Sequence, residues 1–213
     1  IISDAFRYEA GEEMVGRIRQ EDRYQAKLDV ALSSLPSYTQ LGMASLLPQS
    51  KDIKEAADMP LQLADNKTGT VAMGSQSTQG TDNRDKVLKT LVGDRATAVQ
   101  TKALMEMTIT ESRDLLKDHD VIYFYHNRID HTGDKMQSEG EAFKATEETF
   151  DDLMQVIKKL TNANASNLLI TADHGFIYQN RALDDSDFLS TKVEGEVLYN
   201  DRRFVLGKSL STD

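Results

Sequence analysis

The sequence predicts an α/β fold with a mostly parallel central sheet and helices on both of its faces. The clearest observation is a run of β-branched and aromatic residues at 121–125, which is typical of a strand. An amphipathic helix predicted over residues 138–160 follows, and then a short apolar run at 168–170. Such a strand–helix–strand unit is normally parallel, with a right-handed crossover. The other observation is that three of the predicted strands end on carboxylates.

The chain opens on an apolar pair that is predicted to end a strand at Asp4. A helical period follows over residues 5–19, with Phe6 and Ile18 on the inward face. Asp4 therefore lies at a strand-to-helix corner, where a carboxylate is either a metal ligand or a plain helix N-cap. Arg7 lies one turn later, where it could bind an anion or pair with Asp4.

A hydroxyl group is predicted at the start of a short helix. Residues 26–32 can form a further strand, which cannot continue through Pro36. Leucine and alanine then recur at helical spacing until Pro48 stops the helix. Thr39 falls at or next to the N-terminus of this helix, where free backbone N–H groups would stabilise an alkoxide or a phosphoryl group. The alternative is a simple helix cap, and Ser37 competes with Thr39 for either role.

Residues 51–83 differ from the rest in composition, and we expect them to form an inserted cap-like subdomain. Two short β-type runs, 61–63 and 70–73, flank a loop that contains Gly69, which is a β-hairpin pattern. Three helices are predicted after the insertion, and none of them carries evident chemistry: residues 84–91, 96–107 and 110–117.

Polar side chains follow the predicted strand at 121–125 directly. Residues 126–134 hold five potential metal ligands or proton carriers. Asp130 and Asp134 are four residues apart, so one helical turn could bring both carboxylates to one metal ion. His131 is the competing ligand in this segment.

The run at 168–170 is predicted to be a buried strand that ends at Asp173, His174 and Gly175. In an open α/β sheet, ligands bind outside the carboxyl ends of the strands. Adjacent carboxylate and imidazole groups there suit Zn²⁺ or Mn²⁺, and the glycine lets the backbone turn so that both side chains converge. The alternative is a turn in which Asp173 is a cap and His174 is incidental. A last strand is predicted over residues 202–207.

The composition of the 213-residue chain restricts the classes of function. A formal net charge of −10 without a basic stripe argues against tight nucleic-acid binding, because it repels a phosphate backbone. Cysteine is absent, which excludes disulfides and thiolate metal sites. No run approaches the roughly 18 apolar residues of a membrane span, and no signal peptide opens the chain. We therefore expect a cytoplasmic protein without membrane contact. Because the chain starts inside an apparent strand, we expect residues 1–213 to be one domain of a longer protein.

Four groups of residues occur in an order that is known from a family of enzymes. They are Asp-Ala-Phe-Arg-Tyr-Glu at 4–9, Leu-Pro-Ser-Tyr-Thr at 35–39, Tyr-His-Asn-Arg-Ile-Asp with Thr-Gly-Asp between 125 and 134, and Thr-Ala-Asp-His-Gly-Phe at 171–176. This order resembles the alkaline phosphatase superfamily, and more narrowly the PglZ domain. PglZ proteins belong to bacterial BREX phage-defence systems. The resemblance covers nearly the whole chain.

The resemblance implies an alkaline-phosphatase-like core and a metal-dependent phosphohydrolase that acts on phosphate monoesters or diesters. Thr39 would be the nucleophile, and the metal would be zinc in one or two ions, with manganese or magnesium as alternatives. The other partners would be subunits of a defence complex. The implied ligands are polar residues at the strand ends: Asp4, Thr39, Asp173 and His174 for one ion, and Asp130 and Asp134, with His131 less favoured, for a second.

The chain departs from the superfamily pattern in one respect. The superfamily usually supplies a further metal-binding histidine late in the domain, and no histidine follows His174. The second metal site would then be incomplete or finished by residues outside this chain. This departure leaves open a different class of function, a non-catalytic scaffold domain that keeps a metal ion or a nucleotide within a defence complex. Sulfatases share the fold but need a Cys-x-Pro-x-Arg or Ser-x-Pro-x-Arg context, which is absent.

Overall fold

The structure is a computed structural model that describes residues 1–49, 59–133, 141–176, 192–201 and 203–212. The described elements, in chain order, are β1 (Ile2–Ser3), α1 (Tyr8–Gln20), α2 (Thr39–Ser45), β2 (Leu61–Asp65), β3 (Thr70–Met73), β4 (Gln76–Ser77), α3 (Thr81–Val92), β5 (Ala96–Gln100), α4 (Thr101–Glu106), α5 (Ile109–Asp118), β6 (Val121–His126), α6 (Arg128–Gly133), α7 (Ala142–Asn162), β7 (Val193–Asn200) and β8 (Val205–Thr212).

A parallel sheet lies at the centre of the fold, with the strand order β1–β6–β5. Its middle strand, β6, is the β-branched and aromatic run that the sequence predicted. On the other side of β1, the chain at Thr171 runs parallel to it. The amide of Ser3 donates to the carbonyl of Thr171, and the amide of Thr171 donates to the carbonyl of Ile1, both at 2.9 Å. The predicted α/β class with a parallel sheet is therefore confirmed.

Helices cover both faces of this sheet. On one face, Ile2 and Tyr125 pack against Met43 of α2, and α3 packs beside them over Ala96 of β5. On the opposite face, Phe124 packs against α4 and α7. Because side chains alternate along a strand, neighbouring residues of β6 contact different helices. The predicted arrangement of helices on both faces is confirmed.

The longest helix, α7, forms because its apolar residues recur at helical spacing and face inward. Its buried Phe150 and Leu153 pack against Met14 and Ile18 of α1. The sequence predicted this helix over residues 138–160, and the described helix covers most of that range. Helix α5 begins with a capping box between Thr108 and Glu111, so the cap lies just before the predicted start.

A small antiparallel sheet of β2, β3 and β4 lies within the predicted insertion. Its hairpin matches the predicted runs at 61–63 and 70–73. Gly69, with φ of +67°, supplies the left-handed residue that the turn requires. The hairpin is confirmed, whereas the role of residues 51–83 as a cap stays a prediction, and residues 51–58 lie outside the described part.

The predicted strand at 26–32 is wrong. These residues have no regular secondary structure. Val30 and Leu32 are 71% and 97% exposed, and only Ala26 and Leu28 of the apolar positions are partly buried. The segment therefore has no continuous apolar face covered by the described fold. A strand is stable only when another strand pairs with it and one face is covered.

The single helix predicted over residues 96–107 is also wrong, since the segment is the strand β5 followed by the short helix α4. Residues 96–100 pair in parallel with residues 121–125 of β6. Asp85 of α3 accepts hydrogen bonds from the amide of Ala98 at 2.8 Å and from the hydroxyl of Thr97 at 2.9 Å. These tertiary partners override the helical propensity of the segment.

Two further differences concern strands late in the chain. Residues 168–170 were predicted to be buried, but Leu169 is 77% exposed and only the chain at Thr171 bridges to β1. The predicted last strand at 202–207 is β8, which starts and ends later and pairs with β7, a strand that the sequence analysis missed.

None of the described helices has the length and apolarity that crossing a membrane requires.

Candidate active site

Asp4 lies directly after β1, at the start of the segment that connects β1 to α1. Its amide donates to the carbonyl of His126 at 2.7 Å, which extends the pairing between β1 and β6 by one residue. The next residue, Ala5, has a left-handed φ of +59°, and this conformation turns the chain away from the sheet. The N-cap of α1 is Arg7, so Asp4 does not cap this helix. The carboxyl group is buried at the carboxyl end of the sheet.

Asp173 and His174 lie beside Asp4, at the end of the chain that follows Thr171. Oδ1 of Asp173 accepts a hydrogen bond from the amide of Ala5 at 3.1 Å. Nδ1 of His174 donates to the carbonyl of Gly175 at 2.9 Å, which leaves Nε2 without a proton in the neutral ring. Nε2 lies 3.6 Å from Oδ1 of Asp4 and 3.4 Å from Oδ2 of Asp173.

The glycine after His174 acts differently from the prediction. Gly175 does not adopt a left-handed φ, and the left-handed residue at this site is Ala5 instead. A Cβ atom on Gly175 would lie 3.1 Å from Cβ of Arg7. The small residue therefore permits the close approach of the chain at Gly175 to Arg7. Arg7 itself pairs with Glu9 at 2.9 Å, so the suggested Arg7–Asp4 pair is not formed.

Thr39 is the first residue of α2, and its hydroxyl points to the histidine. Oγ1 of Thr39 lies 3.0 Å from Nε2 of His174. In the neutral tautomer that carries its proton on Nδ1, Nε2 accepts from the Thr39 hydroxyl. The N-cap of α2 is Tyr38, and no side chain caps the helix, so the capping alternative for Thr39 is not observed. One turn later, Gly42 passes so close to Asp173 that a Cβ atom would lie 2.7 Å from its carbonyl oxygen. The competing hydroxyl, Ser37, is half-buried two residues before Thr39.

Asp130 joins the group from the short helix α6. Ligand atoms of Asp4, Asp130 and His174 all lie within 4.8 Å of one another. His131, the less favoured ligand, is exposed on the same helix and is not in this group. Asp134 lies outside the described residues. The structure thus brings five of the six predicted residues to one place: Asp4, Thr39, Asp130, Asp173 and His174.

Burial and the neighbouring carboxylates of the site raise the pKa of Asp4. The pKa of Asp4 rises from its ordinary 3.8 to about 9 because the group is buried and lies near the charges of Asp173 and Asp130. The positive charge of Arg84 partly opposes this rise. Without an added cation, Asp4 therefore holds a proton at neutral pH.

The residues at the site fit a divalent cation. Oδ1 of Asp4 and Oδ2 of Asp173 are buried and have no hydrogen-bond partner in the described residues. Buried polar atoms normally have partners, so these two oxygens require either the proton of Asp4 or a bound cation between them. Carboxylate oxygens combined with one imidazole nitrogen suit Zn²⁺ or Mn²⁺, whereas Mg²⁺ prefers oxygen alone. The hydrogen bond at Nδ1 of His174 is the kind of outer contact that fixes a metal-binding imidazole.

His126, one of the polar residues in the segment 126–134, has a structural position instead. Its Nδ1 accepts from the hydroxyl of Ser3 at 3.0 Å, and its Nε2 donates to Asp152 of α7 at 3.2 Å. Arg128 also donates to Asp152, at 2.5 Å. Burial lowers the pKa of His126 despite the carboxylate of Asp152. The ring therefore stays neutral and ties β1, β6 and α7 together on the face opposite Thr39.

Arg84 is a site residue that the sequence analysis missed, because the helix that carries it was predicted to have no chemistry. Its guanidinium carbon lies 4.1 Å from the centroid of the Tyr125 ring. The proximity of Arg84 to Asp4 depends on the pairing of β6 with β1. No local pattern around residue 84 signals that pairing.

The comparisons with known proteins agree on one family. The sequence model described as "BREX system PglZ alkaline phosphatase-like domain" matches residues 1–213. The chain is 38% identical to the "Alkaline phosphatase-like protein BrxZ" of an Escherichia coli strain, covering 100% of this chain and 24% of that protein. It is 36% identical to the "Alkaline phosphatase-like protein PglZ" of a Bacillus cereus strain, covering 97% of this chain and 23% of that protein. The chain thus spans about a quarter of the length of these curated relatives. No solved structure matches it significantly.

Proposed function

The chain belongs to the PglZ family of BREX alkaline phosphatase-like domains, and on that premise we propose that it is a metal-dependent hydrolase of phosphate monoesters or diesters. The observation that supports this most is the contact between the Thr39 hydroxyl and Nε2 of His174, at 3.0 Å. The hydroxyl caps no helix and lies beside the ligand group, which supports a nucleophilic rather than a structural role.

We assign the cation to the residues around the buried carboxylate oxygens that have no hydrogen-bond partner among the described residues. Asp4, Asp173 and His174 would bind one ion, with Zn²⁺ as the preferred metal. Thr39 would be the fourth ligand residue of this ion. Asp130 would contribute to a second ion, together with Asp134 from outside the described residues. When bound, such a cation supplies a Lewis acid that lowers the pKa of a nearby hydroxyl and balances charge on a phosphoryl oxygen.

The proposed hydrolysis has two steps, in which the residues of the chain have separate roles. The oxygen of Thr39 forms a bond to phosphorus while the bond from phosphorus to the ester oxygen breaks. The Thr39 hydroxyl gives up its proton to solvent as this bond forms. The departing oxygen keeps the electron pair of the broken bond and takes up one proton from solvent, so the proton count balances. Water then hydrolyses the phosphothreonine ester, which restores the hydroxyl and releases the phosphoryl product. The carbonyl of Gly175 holds the His174 ring through Nδ1, so that Nε2 faces the Thr39 oxygen and the ion would lie beside that oxygen. The amide of Ala5 fixes the carboxylate of Asp173.

A scaffold function is the second candidate, and the histidines favour it. Among the described residues, His174 is the single histidine of the ligand group. The ring of His126 is bound by Ser3 and Asp152, and His119 bonds to the carbonyl of Leu115. His131 is exposed and lies outside the ligand group. A second metal ion would therefore lack an imidazole ligand from the described residues, and a single ion can serve a structural purpose.

The domain would act inside a larger assembly. The family description names the BREX system, and each of the two relatives is about four times as long as this chain. We therefore propose other BREX subunits as its partners and the cytoplasm as its location, with a phosphate ester as its substrate.

The test is hydrolysis of a bis-aryl phosphodiester and of an aryl phosphomonoester, each with Zn²⁺, Mn²⁺, Mg²⁺ or a chelator. The enzyme proposal expects turnover that requires a metal and disappears when Thr39 is replaced by alanine. Stoichiometric metal binding without turnover of either ester would favour the scaffold.

A further inference from the structure

A half-buried arginine near the candidate site has no carboxylate partner. Arg84 ends the first turn of α3, and its Nε donates to the carbonyl of Gly80 at 3.2 Å. Its guanidinium carbon lies 4.1 Å from the centroid of the Tyr125 ring. No carboxylate of the described residues forms an ion pair with it. Five other arginines of the described chain form such pairs: Arg7, Arg17, Arg95, Arg128 and Arg203. Three more form none, but their guanidinium groups donate to exposed carbonyl, hydroxyl or amide oxygens: Arg19, Arg23 and Arg113.

The contact with Tyr125 places Arg84 on the side of the sheet where the candidate site lies. Tyr125 is the register partner of Ile2 in the ladder between β6 and β1, two residues before Asp4. Tyr125 and Ile2 both pack against α2, the helix that begins at Thr39. The charge of Arg84 is close enough to Asp4 to oppose the rise of its pKa. The guanidinium is thus a cation over the same face of the sheet as the candidate nucleophile.

The Tyr125 hydroxyl and the remaining N–H groups of Arg84 are hydrogen-bond donors without an acceptor within the described chain. The Tyr125 side chain is 3% exposed, and its hydroxyl is buried without a hydrogen-bond partner. Leaving such a group without a partner is unfavourable unless a ligand completes it. A guanidinium has five N–H donors, and the Gly80 carbonyl accepts from one of them. Guanidinium donors match the oxygens of a phosphoryl group in both geometry and charge.

Charge balance gives a reason for a cation here. The carboxylates of Asp4, Asp130 and Asp173 would repel an anionic substrate, even when one divalent cation is bound. A positive group that is held on an aromatic ring, and not neutralised by a carboxylate, offsets that repulsion at a fixed position.

We propose that Arg84 binds a non-bridging oxygen of the substrate's phosphoryl group, with the hydroxyl of Tyr125 as a second donor beside it. The inference rests on the proposed function, because it assigns a substrate contact within the same site. Arg84 then sets substrate affinity and orientation, whereas Thr39 carries the chemical step.

The test measures binding of inorganic phosphate to the zinc-loaded chain by calorimetry. Arg84→Met keeps an apolar stem over Tyr125 but removes the charge, and it should weaken phosphate binding at least tenfold. Arg84→Lys keeps the charge and should recover part of the affinity. The matched control is Arg95→Met, which removes an exposed arginine paired with Asp120 and should bind phosphate as the wild type does.

Zinc content, melting temperature and steady-state kinetics complete the test. Arg84→Met should keep the zinc content and the melting temperature of the wild type, while kcat/KM falls at least tenfold with a raised KM. Wild-type phosphate affinity in Arg84→Met would overturn the inference. Loss of zinc together with phosphate would also overturn it, since Arg84 would then support the metal site.

The two proposals fail in different ways. If the wild type binds phosphate through Arg84 but hydrolyses no ester, the proposed function fails and the substrate contact stands. If the wild type hydrolyses esters and Arg84→Met matches it in rate and phosphate affinity, the function stands and the inference fails. Absence of phosphate binding by the zinc-loaded wild type would overturn the inference.

Discussion

Oγ1 of Thr39 lies 3.0 Å from Nε2 of His174, although the two residues are 135 positions apart in the chain. The other ring nitrogen of His174 donates to the carbonyl of Gly175, so in the neutral ring Nε2 accepts the hydrogen bond. This contact joins the start of α2 to the turn that holds Asp173. It is the relationship on which the assignment of Thr39 depends.

The first prediction concerns the Thr39 oxygen. Thr39→Ser keeps the oxygen and should retain part of the phosphodiester hydrolysis, whereas Thr39→Ala should lose nearly all of it. The hydroxyl caps no helix, so the loss of stability in Thr39→Ala should stay below the roughly 1 kcal/mol typical of a lost cap. The measurement is the hydrolysis rate beside the melting temperature, with Ser37→Ala as a control that keeps its activity. An unchanged rate in Thr39→Ala would contradict the nucleophile assignment.

The second prediction concerns metal content. The double variant Asp173→Ala, His174→Ala should lower the zinc stoichiometry and abolish hydrolysis, because both side chains leave one turn toward the same ion. Elemental analysis after dialysis measures the stoichiometry directly. His119→Ala is the control, since its ring bonds to the carbonyl of Leu115 within a helix end and should not affect zinc. Full zinc content in the double variant would refute the ligand assignment.

The third prediction concerns pH and the metal-free protein. Burial and the neighbouring carboxylates raise the folded-state pKa of Asp4 from 3.8 to about 9. A raised pKa means that the folded state holds the proton more tightly, so the stabilisation is full below about pH 4 and is lost as pH rises toward 9. Metal-free Asp4→Asn keeps a neutral side chain, and its melting temperature should increasingly exceed that of the metal-free wild type as pH rises.

Adding zinc should reverse this order at high pH. A cation binds the ionised carboxylate, so the zinc-loaded wild type should melt above zinc-treated Asp4→Asn at pH 9. The measurement is thermal melting of both proteins across this pH range, with chelator and with zinc. A constant difference between the metal-free proteins would show that Asp4 does not titrate as we describe.

The fourth prediction concerns the fit between α2 and Asp173. Gly42→Ala would place a Cβ atom 2.7 Å from the carbonyl oxygen of Asp173, and backbone cannot give way as a flexible side chain can. We expect a loss of about 1–3 kcal/mol in the free energy of unfolding and a lower zinc content, because α2 and the Asp173 turn must separate.

Gly16→Ala is the matched control for this substitution. Gly16 lies inside α1, and a Cβ atom there would meet nothing within 4 Å. Alanine should stabilise that helix by up to about 1 kcal/mol and leave zinc content unchanged. Equal and small effects of the two substitutions on stability and zinc would show that the close approach of Gly42 to Asp173 is unimportant.

Local patterns predicted the elements that form for local reasons. The β-branched and aromatic run of β6 and the apolar stripe of α7 were both identified from the sequence. The segment 96–107 was misassigned because its strand, β5, depends on pairing with β6 and on Asp85, which a local pattern does not contain. The segment 26–32 was predicted to be a strand but is not one. Its pattern is strand-like, but no described strand pairs with it.

The sequence by itself identified the carboxylates, the imidazole and the hydroxyl of the site, because these groups were predicted where strands end and helices begin, but it did not identify Arg84. Only the tertiary structure decided which of these groups meet. Tyr125 and His126 are adjacent, yet Tyr125 faces α2 and contacts Arg84, whereas His126 faces α7 and Asp152. Side chains alternate along a strand, and the pairing of β6 with β1 and the helices on each face decide which set lies beside Asp4. That pairing joins residues more than 100 positions apart, so no local pattern in the chain encodes it.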